Sequence, residues 1–113
     1  MTREEILELP AGIKMNQLIW WKIFDMIPTP PNNDMLLLPD YSGDISATFQ
    51  VIQKLRAMRY NVRVEFHKTY TQVSLWSMEM TEYGPHPISC HAETVYLAVC
   101  HAALLLSLTL DTV

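Results

Sequence analysis

Pro39-Asp40-Tyr41-Ser42-Gly43-Asp44-Ile45-Ser46-Ala47-Thr48-Phe49-Gln50-Val51-Ile52-Gln53-Lys54-Leu55-Arg56-Ala57-Met58 is the stretch around which the chain is organised. Pro39 stops whatever precedes it, because proline fixes φ and disfavours helix in the residue before it. Ser42 reads as an N-cap, and Gly43 and Asp44 leave first-turn amides free beside a carboxylate at the positive end of the helix dipole. Ile45, Phe49, Ile52 and Leu55 recur at helical spacing and predict one buried stripe. Lys54, Arg56 and Arg59 complement the far end, so the helix should stop between Met58 and Tyr60, with Asn61 as the exit.

Downstream the periodicity changes. Val62, Val64 and Phe66 alternate with Arg63, Glu65 and His67, which predicts a half-buried strand. A turn over 68–71 leads to a second strand whose phase shifts: Val73 and Leu75 share one face, Trp76, Met78 and Met80 the other. Such a shift implies a bulge near Leu75–Trp76 or a strand covered on both faces. Tyr83-Gly84-Pro85 is a turn, and His86–Ser89 supplies a short third strand that Pro87 confines to an edge. A last helix is expected from about Cys90 to Thr109. From Val95 to Leu110 it is apolar nearly all round, which predicts burial on every side, against the sheet and against another helix or subunit. Sixteen residues rise only about 24 Å, short of a bilayer core of roughly 30 Å, so a membrane span is disfavoured.

Upstream, Thr2 and Glu5 form a capping-box pattern ahead of Ile6, Leu7 and Leu9. Pro10 and Gly12 interrupt, and a longer helix is expected from about Ala11 to Phe24, carrying Met15, Leu18, Ile19 and Ile23. Trp20 and Trp21 are adjacent and cannot both face one core, so one should line a pocket or an oligomer contact. Pro28, Pro30, Pro31 and Pro39 mark a loop whose Met35-Leu36-Leu37-Leu38 centre is too apolar to remain in water. The organisation is one domain over 1–113: an N-terminal helical attachment (1–27), a docked Pro-rich loop (28–40) and an αβββα-like unit (41–113).

Composition narrows function more than it names it. Half of the 113 residues are hydrophobic and 18% are charged, which implies surplus apolar surface and favours a homo-oligomer. The net charge is −4 and the eight Lys and Arg are scattered, so nucleic acid is disfavoured as a partner. The αβββα order is shared with double-stranded-RNA-binding domains. The expected start of the last helix, however, reads Ser89-Cys90-His91-Ala92-Glu93-Thr94, with no Lys or Arg to grip phosphates. Cys90 and Cys100, ten residues apart on one helix, would sit about 15 Å apart, beyond disulfide reach. Free thiols and the lack of an apolar run behind Met1-Thr2-Arg3 point to a cytoplasmic protein.

Thr2-Arg3-Glu4-Glu5-Ile6-Leu7, Leu9-Pro10-Ala11-Gly12, Tyr41-Ser42-Gly43-Asp44-Ile45-Ser46-Ala47, and Ala92-Glu93-Thr94 with Ala98-Val99-Cys100-His101-Ala102-Ala103-Leu104 resemble the phage ABA sandwich domain family, small proteins of phages and prophages. The pattern departs from the family at Gly43, where Thr is frequent, and at His101, where a basic residue tends to follow the helix Cys. The resemblance implies an α-β-α layered fold in the α+β class and a phage origin. It assigns no catalytic residue.

The chemistry-bearing residues have plain alternatives. Cys90-His91 and Cys100-His101 suggest a metal, yet convergent ligands on a helix need i, i+3 or i+4 spacing, so no metal and no cofactor are expected. His86, His91 and Glu93 lack a nucleophile in a recognisable elbow, and three isolated glycines make no phosphate loop, so no enzyme is expected. Trp20, Trp21, Tyr41, Ser42, Trp76 and His91 are the candidate ligand contacts. Trp76, Met78, Met80, His101, Leu105 and Leu108 are the candidate oligomer contacts. The expected function is binding without catalysis: counter-defence by sequestering a nucleotide-type signal or by occluding a host defence protein. The alternatives are a homo-oligomeric assembly module and an RNA-binding-like domain.

Overall fold

Thr2 caps the first helix as its sequence predicts. In a computed structural model that describes residues 2–25, 38–79 and 88–111, Thr2 Oγ1 accepts from Glu5 N (3.2 Å) and Glu5 Oε1 accepts from Thr2 N (3.1 Å). This closed capping box starts α1 (Arg3–Glu8). Gly12 turns the chain into α2 (Ile13–Lys22) at φ +143°, a conformation that suits glycine. The remaining elements are α3 (Ile45–Ala57), β1 (Tyr60–Phe66), β2 (Thr71–Ser77), β3 (Ile88–Ala92) and α4 (Val95–Asp111). The fold is therefore α+β and, among the described residues, consists of four helices with one antiparallel sheet in the order β1-β2-β3.

The register is continuous, pairing Val62 with Leu75, Val64 with Val73, and Val73 with Cys90. Directly paired residues share a face, so Tyr60, Val62, Val64 and Phe66 lie on the same side as Thr71, Val73 and Leu75, and as Ile88, Cys90 and Ala92. That side is the inner one, with Val73 and Leu75 fully buried. The phase shift expected in β2 is neither a bulge nor an apolar outer face. Trp76 lies on the outer face with Gln72 and Ser74, and Met78 lies past the strand end.

α4 crosses the inner face of β2 and β3, with α3 beside it over β1 and with α1 and α2 behind it. Among the described residues the layers run sheet, then α3 and α4, then α1 and α2, so the helices sit on one face of the sheet. The N-terminal helices are part of the core rather than an attachment, because Ile6, Met15 and Ile19 are buried in the same cluster as Val51, Val73 and Leu104. The all-round apolarity of α4 is satisfied within the chain: Ala98 to Ser107 are all buried.

Three boundaries differ from expectation. Cys90 belongs to β3, where it alternates with outward Ser89 and His91. α4 starts only at Val95, with Thr94 Oγ1 accepting from Leu97 N (3.2 Å). Asp44, not Ser42, caps α3, its carboxylate accepting from Ala47 N (3.3 Å). The buried face of α3 is Ala47, Thr48, Val51 and Leu55, which leaves Ile45 and Phe49 55% and 54% exposed. α3 stops at Ala57 with Met58 as its C-cap, close to the expected end, and the chain leaves it through Arg59, at φ +74°, rather than through Asn61. Met35–Leu37, Met80, the Tyr83-Gly84-Pro85 turn and His86 lie outside the described residues.

Candidate functional site

Residues named from the sequence fall into two groups once folded: those consumed inside the molecule and those left at its surface. Tyr41 and Ser42 belong to the first. Ser42 is buried; its N–H and its hydroxyl both donate to Asn16 Oδ1 (3.0 and 2.8 Å), and its oxygen accepts from Gly12 N (2.9 Å). Asn16 Nδ2 then donates to Asp40 Oδ1 (2.9 Å). These bonds join the start of α2 to the loop before α3, and they occupy every polar atom that made Ser42 a candidate contact. Tyr41 is buried with its ring stacked on Phe24, centroids 5.2 Å apart. Its carbonyl accepts from Thr48 Oγ1 (2.8 Å) and Cys100 Sγ (3.3 Å), and burial pushes its phenol up to about 12.

His101 and the cysteines are interior as well. His101 Nε2 donates to the Leu9 carbonyl (2.9 Å), tying α4 to the end of α1, while Nδ1 is buried without a partner. Burial lowers the pKa of the ring, because a charge there would lose its hydration. Cys90 Sγ donates to Ala98 O (3.3 Å); burial holds the Cys90 thiol at about 11 and the Cys100 thiol at about 12. Neither is disulfide-bonded, and neither is a nucleophile near neutral pH. His101 and Leu105 are thus withdrawn from the expected oligomer contact, because α1, α2 and α3 already cover the helix.

At the surface, His91 lies on the exposed outer face of β3, not at a helix start, and meets Tyr70 edge-on at 5.3 Å. Tyr70 stacks on His67 at 4.6 Å. Trp76 and Met78 are half-buried on the sheet side, far in the topology from Leu108. The expected contact set is therefore divided between two sides of the molecule. Among the described residues, no three His, Cys, Asp or Glu side chains group closely enough to hold a metal ion.

One concavity does collect named residues. Trp21 and Leu108, with Ile6, Leu18, Lys22, Leu104 and Ser107, line a groove of about 270 Å³ between α1, α2 and α4. The two tryptophans divide as their adjacency requires. Trp20 is half-buried towards Phe24 (6.5 Å), and Trp21 is 44% exposed at the groove, with Lys22 Nζ 4.2 Å from its ring centre. Nothing in the sequence marks Ile6, Leu18 and Leu104 as groove rather than core residues, because both kinds carry the same periodicity on an amphipathic helix. No protein-family model, curated protein or solved structure matches this chain. Its functional reading rests on the groove and on which polar groups remain unspent. Among the described residues no helix is long and apolar enough to cross a membrane.

Proposed function

We propose that this is a small phage accessory protein that acts by binding, seating one large apolar or aromatic side chain of a host defence protein in the Trp21 groove and thereby occluding it. The observation that carries this is the groove itself: apolar walls, an exposed tryptophan at the rim, and a volume of about 270 Å³. Small-molecule sites usually occupy about 300–1,000 Å³, so this groove suits a single anchoring side chain better than a whole nucleotide. A nucleotide-type signal is also less favoured because its phosphates call for concentrated positive charge, and among the described residues Lys22 is the sole basic one lining the groove. Catalysis is disfavoured by the burial of both thiols and of His101. The phage setting comes from the family resemblance.

The test is phage plating on hosts that carry individual defence systems. The protein should restore plaques against at least one system, and Trp21→Arg, which puts a charge at the exposed rim of the groove, should abolish that effect at unchanged thermal stability. Restoration against none of them removes the counter-defence reading, and equal restoration by the variant removes the groove. A second reading, an assembly module, is favoured by the exposed Ile45 and Phe49 on α3. Sedimentation of the Phe49→Ser variant against the parent protein tests it.

A further inference from the structure

Among the described residues, the first strand leaves a row of backbone groups without partners. Arg59 O accepts from Met78 N (2.8 Å) and His67 N donates to Tyr70 O (2.9 Å), so residues 59 and 67 turn their backbone groups towards β2. Antiparallel ladders alternate, and hence Asn61, Arg63 and Glu65 also point inward while Tyr60, Val62, Val64 and Phe66 point to the open edge. On the opposite edge the same alternation leaves only Ser89 and His91 of β3 facing out. The usual protections of an edge are a proline, a bulge or a charge turned inward. β1 reads Tyr-Asn-Val-Arg-Val-Glu-Phe with an unbroken register, and its two charges lie on the outer face. Phe66, at the end of the strand on the inner side, is 75% exposed. Among the described residues nothing pairs with this edge.

We infer that β1 is the interface for a second copy of this chain, pairing antiparallel about a twofold axis through Val64 to make a continuous six-stranded sheet. Charge favours that register over its two neighbours. With the axis at Val64, Arg63 lies opposite the partner's Glu65 and Glu65 opposite the partner's Arg63. Moving the axis to residue 63 sets Arg63 against the partner's Arg63, and moving it to 65 sets Glu65 against the partner's Glu65, both unfavourable. Arg63 and Glu65 already pair within one chain (2.8 Å), so the dimer joins two such pairs into a four-charge cluster. The outward groups agree with the charges. Val64 pairs with the partner's Val64, and Val62 with the partner's Phe66, each exchanging both backbone bonds, and Phe66 gains an apolar neighbour across the seam. The seam is separate from the Trp21 groove and leaves it open.

Sedimentation velocity across a concentration series tests the interface. The parent protein should form dimers. Val64→Pro should be monomeric and still folded, at some loss of thermal stability because Val64 packs against the core, since among the described residues that N–H makes no bond and an edge strand accommodates proline there. Arg63→Glu should weaken dimerisation by roughly tenfold, and the double variant R63E/E65R should restore it. If Val64→Pro fails to fold, cross-linking decides. Residues 63 and 65 form a non-hydrogen-bonded pair with Cα atoms about 4.5 Å apart, within disulfide range, so mixed Arg63→Cys and Glu65→Cys proteins should cross-link to each other and neither to itself. A parent protein that stays monomeric, a Val64→Pro that dimerises equally, or a mixture that cross-links no more than its components would each overturn the assignment.

Discussion

The loop before α3 and the outer edge of β1 spend their hydrogen-bonding groups in opposite ways. In the loop, Ser42 and Asn16 satisfy each other, Gly12 and Asp40, so residues that look adhesive in the sequence have nothing left to offer a partner. Along β1, plain Val62, Val64 and Phe66 carry backbone groups that nothing in the described chain satisfies. Residue type therefore misleads in both places: polarity marks the structural joint, and apolarity marks the surface free to associate. An interior polar group is expensive to strand, whereas an edge group is already solvated, so the two regions should respond to mutation in opposite currencies, stability and association.

The largest effect on stability should come from Asn16→Ala. It removes the acceptor of Ser42 N and Ser42 Oγ in a buried place, and should cost about 2–4 kcal/mol in urea unfolding with no change in dimer affinity. A comparable loss of dimerisation would mean that loop and edge are coupled. Next is acid sensitivity through His101. Its folded pKa lies below the ordinary 6.5, so the unfolded chain binds the proton more readily. Stability is fully present above about 6.5 and falls as the pH drops towards the folded value, by up to about 1.4 kcal/mol per pH unit. Chemical denaturation at neutral and mildly acidic pH should show this slope in the parent and not in His101→Gln. Gly43→Ala should cost about 1 kcal/mol, since the added Cβ would meet Asp40 Oδ2 at 2.6 Å and dislodge the carboxylate that Asn16 holds. Arg59→Gly should gain about 0.5–1 kcal/mol by relieving a positive φ at the exit of α3. Smallest in stability is Phe66→Ser, within about 0.5 kcal/mol for so exposed a residue, yet it should measurably weaken self-association. An edge substitution that destabilises the monomer as much as Asn16→Ala would erase the contrast.

Much of the fold is legible without coordinates wherever the governing interaction is local. The capping box of α1 spans three residues, the alternation of β1 is a period-two pattern, and α4 declares its burial by lacking a polar face. The candidate site is legible only in part. Adjacent Trp20 and Trp21 had to diverge, and they do, but the walls that Ile6, Leu18 and Leu104 give the groove come from three helices that meet only in the folded chain.

By itself, then, the sequence determined the α+β class, the order of helices and strands, and the apolar helix at the centre, because each follows from periodicity and capping within a few residues. Only the tertiary structure decided how α3 is capped and which of its faces is buried. Asn16, 26 residues before Ser42, claims the serine side chain, so capping passes to Asp44, and the helix turns Thr48 and Val51 rather than Ile45 and Phe49 towards the core. Only the structure decided, too, that Cys90 is a strand residue, because the pairing that draws it onto β2 opposite Val73 is non-local. Which strand is left with an unpaired edge is likewise a property of the assembled sheet, where, among the described residues, β2 takes the middle and β1 keeps one side open.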